Sequence, residues 1–97
     1  MADLTANTEH YDINHIGTLM DRLAKALGIK IREQRKTCNL SQEALAHSCS
    51  IDRSYMGRIE RGEVNITVEK LYVIAGVLEC DPSTLLPDFA GVELNQP

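Results

Sequence analysis

The chain has no tryptophan and only four aromatic residues, Tyr11, Tyr55, Tyr72 and Phe89. Its core must therefore be filled by Leu, Ile, Val and Ala, which suits packed helices better than a β-sandwich. Cysteines are few and odd in number: Cys38, Cys49 and Cys80, with no C-x-x-C pair. Such a set fits neither a disulfide framework nor a zinc knuckle, and reduced structural thiols are the expectation. His10, His15 and His47 are scattered and have no nearby partners for a metal site, so neither metal nor cofactor is expected. No apolar run approaches the roughly 18–20 residues of a membrane span. The N-terminus lacks a basic start followed by an apolar stretch, so no signal peptide is expected either, and the expected location is cytoplasmic. Internal repeats and low-complexity segments are also missing.

What remains is 97 residues, 43% of them hydrophobic, enough for one domain that buries a single core without disulfides or metal. The formal net charge is −4, but its distribution is uneven. Between Lys30 and Arg61 the bases Lys30, Arg32, Arg35, Lys36, Arg53, Arg58 and Arg61 outnumber the acids Glu33, Glu43, Asp52 and Glu60. Attraction to phosphate follows the local field more than the total, so a basic middle inside an acidic chain is compatible with a nucleic-acid partner.

Residues 1–15 are polar and read as a flexible arm. Ile16, Leu19, Met20, Leu23, Leu27 and Ile31 recur in steps of three and four, which predicts an amphipathic helix from about Ile16 to Lys36, with Gly28 as a point of break or kink. Ser41 caps a helix over Gln42–Ser48, and Asp52 caps another over Arg53–Glu60 that Gly62 stops. Thr67 caps a helix carrying Val68, Leu71, Tyr72, Ala75 and Leu78. Asp81-Pro82 opens a short fifth helix that Pro87 ends, and a tail runs over 88–97. Five helices and no strand make the expected class all-α, with the domain over 16–87.

Gln42 to Arg61 holds two short helices a few residues apart. So tight a turn requires a small side chain where the helices meet, and Ala46 supplies it. Leu45, Cys49, Ile51, Met56 and Ile59 provide the apolar clamp. In such a pair the second helix is held away from the body, where it fits a DNA major groove.

The run Leu40-Ser41-Gln42-Glu43-Ala44-Leu45-Ala46, then Ile51-Asp52-Arg53-Ser54-Tyr55-Met56, then Ile59-Glu60-Arg61-Gly62, resembles the Cro and phage-repressor (XRE) helix-turn-helix family over roughly Leu27 to Leu86. Within that family, Asp52-Arg53-Ser54-Tyr55, Ile59-Glu60-Arg61, Asn65 and Thr67 resemble controller proteins of restriction–modification systems. The resemblance implies a five-helix, λ-repressor-like DNA-binding domain. Three features depart from the family pattern. Ser50 stands where the turn's left-handed residue is usually Gly or Asn, residues 1 to about 25 extend beyond the minimal domain, and the total charge is acidic.

The resemblance also implies roles. Arg53 and Ser54 fall where the family reads bases, and an arginine there can grip guanine O6 and N7. Arg58 reads a base or holds a phosphate. Tyr55 either packs on the DNA backbone or fills the core. Gly57 either permits close approach to DNA or is simply tolerated. Gln42 contacts phosphate or a base edge at its helix start, and Asn65 and Thr67 hold phosphate. Arg32, Lys36 and Arg61 are peripheral phosphate candidates. Arg35 and Glu60 pair as an internal salt bridge. A regulator of this kind binds double-stranded DNA as a homodimer on an inverted repeat. Val73, Val77, Leu85 and Leu86 are the candidate dimer surface, with Leu19, Met20 and Leu23 adding to it. The alternative is an antitoxin or other protein-interaction module whose DNA binding is secondary. No paired-carboxylate cleft, nucleophile–base motif or phosphate loop points to an enzyme or a small-molecule substrate.

Overall fold

The computed structural model describes residues 13–88, with side chains from residue 17. The described residues form four α-helices and one 3₁₀ turn: α1 (Ile13–Thr37), α2 (Gln42–Ser48), α3 (Arg53–Glu60), α4 (Val68–Val77) and the turn Pro82–Leu85. The expected fifth helix is thus a single 3₁₀ turn, because Pro87 leaves room for little more. Most of the arm expected over 1–15 and of the tail expected over 88–97 lies outside the described residues.

Each element after α1 starts where a polar side chain satisfies the first free amides. Ser41 accepts from Ala44 N at 3.0 Å, Asp52 from Ser54 N at 3.0 Å, Thr67 from Lys70 N at 3.1 Å and Asp81 from Ser83 N at 2.9 Å. The Asp52 carboxyl lies below its ordinary range, chiefly because the Ser54 hydroxyl donates to it. All four helices end on one device. A residue of positive φ follows, and the next amide reaches back five residues in the Schellman pattern. The closing bonds are Leu40 N to Arg35 O, Ile51 N to Ala46 O, Glu63 N to Arg58 O and Cys80 N to Ala75 O. Three of the four left-handed positions are not glycine: Asn39 (φ 62), Ser50 (φ 55) and Glu79 (φ 57). The Cβ of Ser50 is crowded there, so Ser50→Gly is expected to stabilise the fold by about 1 kcal/mol. A rise in the urea midpoint with unchanged slope would show it.

Ile31, Leu45, Met56, Ile59, Ile74, Leu78 and Leu85 are fully buried and form the centre of the core, with Leu27, Ala46 and Ala75 around them. Helix α1 packs on α3 and on the 3₁₀ turn, while α2 packs on α3 and α4. Leu85 belongs to this core and is withdrawn from the dimer surface expected for it; Val77 is half-buried against the same core.

Helix α1 runs unbroken through Gly28. The glycine is needed for contact, since a Cβ there would lie 2.5 Å from Ile59 O and 2.6 Å from Glu60 O. The end of α3 therefore rests directly on the α1 backbone. Gly62, at φ 73, meets Lys25 Cα just as closely, at 2.6 Å from an added Cβ. The apolar stripe of α1 outruns the body it packs on: Ala24, Leu27 and Ile31 are buried, whereas Met20 is 50% and Leu23 37% exposed. No helix among the described residues is long and apolar enough to cross a membrane. Cys38, Cys49 and Cys80 are free thiols; burial raises the Cys49 pKa, and Cys38 Sγ donates to Leu78 O at 3.3 Å.

Candidate nucleic-acid interface

Helix α3 turns Met56, Ile59 and Glu60 inward, and these three are buried. An adjoining face carries Arg53, Ser54 and Arg61, which are exposed, and Gly57, which is buried; their spacing places them on one side of a 3.6-residue helix. With Gln42 from the start of α2 they line one shallow depression. Four of the residues singled out from the sequence, Gln42, Arg53, Ser54 and Gly57, therefore come together.

The depression is anchored from beneath. Arg35 grips Glu60 with a two-pronged contact, Nε to Oε2 at 2.7 Å and Nη2 to Oε1 at 3.0 Å. Its third nitrogen donates to Leu40 O at 2.8 Å, at the join of α1 and α2. The Glu60 hydrogen bond raises the Arg35 pKa further above its ordinary value. Gln42 Nε2 donates to the same Glu60 Oε1 at 3.1 Å. The charge pair inside thus orients a carboxamide on the surface. Gln42 Oε1 lies 3.4 Å and Arg61 Nη1 3.1 Å from where a Gly57 Cβ would stand. The missing side chain at Gly57 lets both groups lie across the helix face.

Arg53 and Ser54 are exposed at the start of α3, and the Ser54 hydroxyl donates to Asp52. Tyr55 is half-buried against the core, with Lys70 Nζ 5.8 Å from its ring centre. Arg58 is exposed and turned toward Glu63, at 3.8 Å, outside the depression. Asn65 and Thr67 also lie apart from it: Asn65 Nδ2 donates to Met20 O at 3.3 Å, and Thr67 caps α4. The Asn65 bond joins the loop before α4 to the N-terminal half of α1. No sequence pattern announced it, because the contact spans 45 positions.

Arg61 was expected only at the periphery, and it lines the depression itself. The signal was present in the four-residue steps Arg53, Gly57, Arg61. Arg32 and Lys36 sit on the outer face of α1, beside Ile29 and Glu33. All ten Lys and Arg residues fall between Arg22 and Lys70, whereas Asp3, Glu9, Asp12 and Glu93 lie outside the described residues. The described residues are therefore formally neutral, and the excess acid lies in the sequence on either side of them. No cluster of three metal-ligating side chains occurs among the described residues.

Comparison with known proteins agrees with the helical fold. Residues 31–85 match the helix-turn-helix family model. The chain is 38% identical over 66 residues to Control protein C.BamHI of Bacillus amyloliquefaciens, covering 67% of this chain and 80% of that protein. It is 36% identical over 64 residues to Control protein C.SmaI of Serratia marcescens, covering 66% and 76%. Among solved structures, the restriction-modification controller protein C.AhdI from Aeromonas hydrophila superposes with a TM-score of 0.63 at 36% identity, over 65% of this chain and 96% of that one. The chain belongs to the helix-turn-helix family and is a DNA-binding transcriptional regulator of the XRE type.

Proposed function

We propose that the chain is a sequence-specific regulator that binds an inverted-repeat operator as a homodimer and controls a restriction–modification system. The observation that carries this reading is the depression on the outward face of α3, where Gln42, Arg53, Ser54, Gly57 and Arg61 converge. A helix edge that carries two arginines, with a carboxamide from the start of α2 beside them, suits a major groove. In this reading Arg53 grips a guanine edge, and Gln42 holds register on a phosphate or base edge. Asn65 and Thr67 serve the loop beside the backbone, and Tyr55 and Arg58 flank the contact.

The homodimer is supported by the uncovered side of α4. Val68, Tyr72 and Val73 are 71%, 62% and 41% exposed, with Leu86 at 42% after the 3₁₀ turn. A second copy laid on this face would bury them and set two α3 helices one DNA turn apart, about 34 Å. The free thiols fit a reducing, cytoplasmic setting. The controller role rests on the relatives named above.

Selection of bound duplexes from a random pool, followed by titration on the selected and on a random duplex, tests the reading. Arg53→Ala is expected to lose about 10- to 100-fold on the selected duplex and much less on the random one. Gln42→Ala is expected to weaken both. Equal losses on both duplexes for Arg53→Ala would remove its readout role. One observation favours a second reading, a protein-interaction module such as an antitoxin: the bare Met20 and Leu23 on the α1 extension. Co-purification of a partner protein through that extension, without duplex selection, would support it.

A further inference from the structure

Glu63 is the first residue beyond the left-handed Gly62, and its amide closes the end of α3 on Arg58 O. Its carboxylate lies among bases. Oε2 accepts from Arg61 Nε at 2.6 Å and Oε1 from Arg61 Nη2 at 3.4 Å, while Arg58 Nε lies 3.8 Å from Oε1. The Arg61 contact, with Arg58 and Lys25 adding to it, holds the Glu63 carboxyl below its ordinary range. Both arginines and Glu63 are about half exposed. An ion pair so open to water adds little to the stability of the fold. Its consequence is at the surface, since Arg61 lines the depression and Arg58 flanks it.

Resting on the DNA-binding reading above, we infer that Glu63 is a counter-charge that restrains the affinity of this edge for DNA of any sequence. Its carboxylate occupies the guanidinium fork that a DNA phosphate would otherwise take. A carboxylate and a phosphate present the same pair of acceptor oxygens to an arginine. Any duplex must therefore displace Glu63 before Arg61 and Arg58 can engage its backbone. This cost falls on every sequence alike. It suppresses binding that depends on phosphate attraction alone, and it is overcome where base contacts from Arg53 add to the interaction. A chain whose described residues are formally neutral thus keeps its basic edge from adhering to arbitrary DNA.

Fluorescence anisotropy against salt, on a random duplex and on the pool-selected duplex, tests this with the full chain. Glu63→Gln keeps size and shape and removes the charge. It is expected to bind the random duplex about tenfold more tightly near 50 mM salt, with a slope of log K against log salt steeper by about 1–2 for the one or two phosphates gained. The selected duplex is expected to gain by a similar factor, so that the ratio of selected to random affinity stays the same. Glu79→Gln makes the same charge change at the end of α4 and is expected to leave the slope unchanged. In an Arg58→Ala/Arg61→Ala background, Glu63→Gln is expected to bring no gain. A Glu63→Gln protein with wild-type slope and random-duplex affinity overturns the inference, as does a gain that persists without the two arginines. Those results leave the DNA-binding reading intact if the wild type still selects a duplex. A wild type that selects none sinks that reading first.

Discussion

Arg35→Ala is expected to cost about 3–5 kcal/mol, enough to remove much of the stability of a domain this size. The reason lies in what stays behind. The Glu60 side chain is only 3% exposed, and Arg35 supplies both of its short charged contacts. Without the guanidinium, a carboxylate remains in the interior with only Gln42 Nε2 as a donor. Leu40 O loses its partner in the same step. Glu60→Ala should cost a similar amount for the mirror-image reason. Replacing both residues, as Arg35→Met with Glu60→Leu, is expected to recover much of the loss, because neither charge is then stranded. Urea unfolding of the two singles and the double closes the cycle. A single-variant loss below about 1 kcal/mol would mean that the pair behaves as an exposed one.

Gly28→Ala is expected to destabilise by about 2 kcal/mol, although alanine is the better helix former by about 1 kcal/mol. The added methyl would stand 2.5 Å from one carbonyl oxygen and 2.6 Å from another, both backbone atoms at the end of α3. No side-chain rotation relieves such a contact, so α1 must lift from α3. The lift also loosens the Arg35–Glu60 grip, two turns along the same helix. Gly76→Ala is the control. Nothing lies within 4 Å of its added methyl, and a gain of up to about 1 kcal/mol is expected. The same substitution should thus move the urea midpoint in opposite directions at the two sites. A gain at both would refute the close crossing of α1 and α3.

The two glycines show where sequence reasoning stops. Gly28 reads along the chain as a weak point in a helix, and the structure makes it a contact. The difference lies in residues 59 and 60, which local periodicity cannot bring near. The helix starts were legible because Ser41, Asp52, Thr67 and Asp81 act within three residues of their own position. The left-handed turn at Ser50 was legible for the same reason, as a local departure from a known pattern. Leu85 misled because the stretch around it is short. With only Leu85 and Leu86 side by side, no period tells which faces the core. Arg61 was undervalued because its place depends on what Gly57 leaves open and on where Gln42 lies.

The amino-acid order alone determined the helical class, the caps, the two abutting helices and the edge of α3 that carries Arg53 and Ser54. Each of these rests on interactions within about one helical turn, or on a periodicity that repeats along one element. Only the tertiary structure decided that Glu60 anchors Gln42 from below, that α3 ends on the bare backbone of Gly28, and that Glu63 sits among three bases. Most of those contacts join residues from different helices. Their geometry is set by how the whole core packs, a quantity no local window contains.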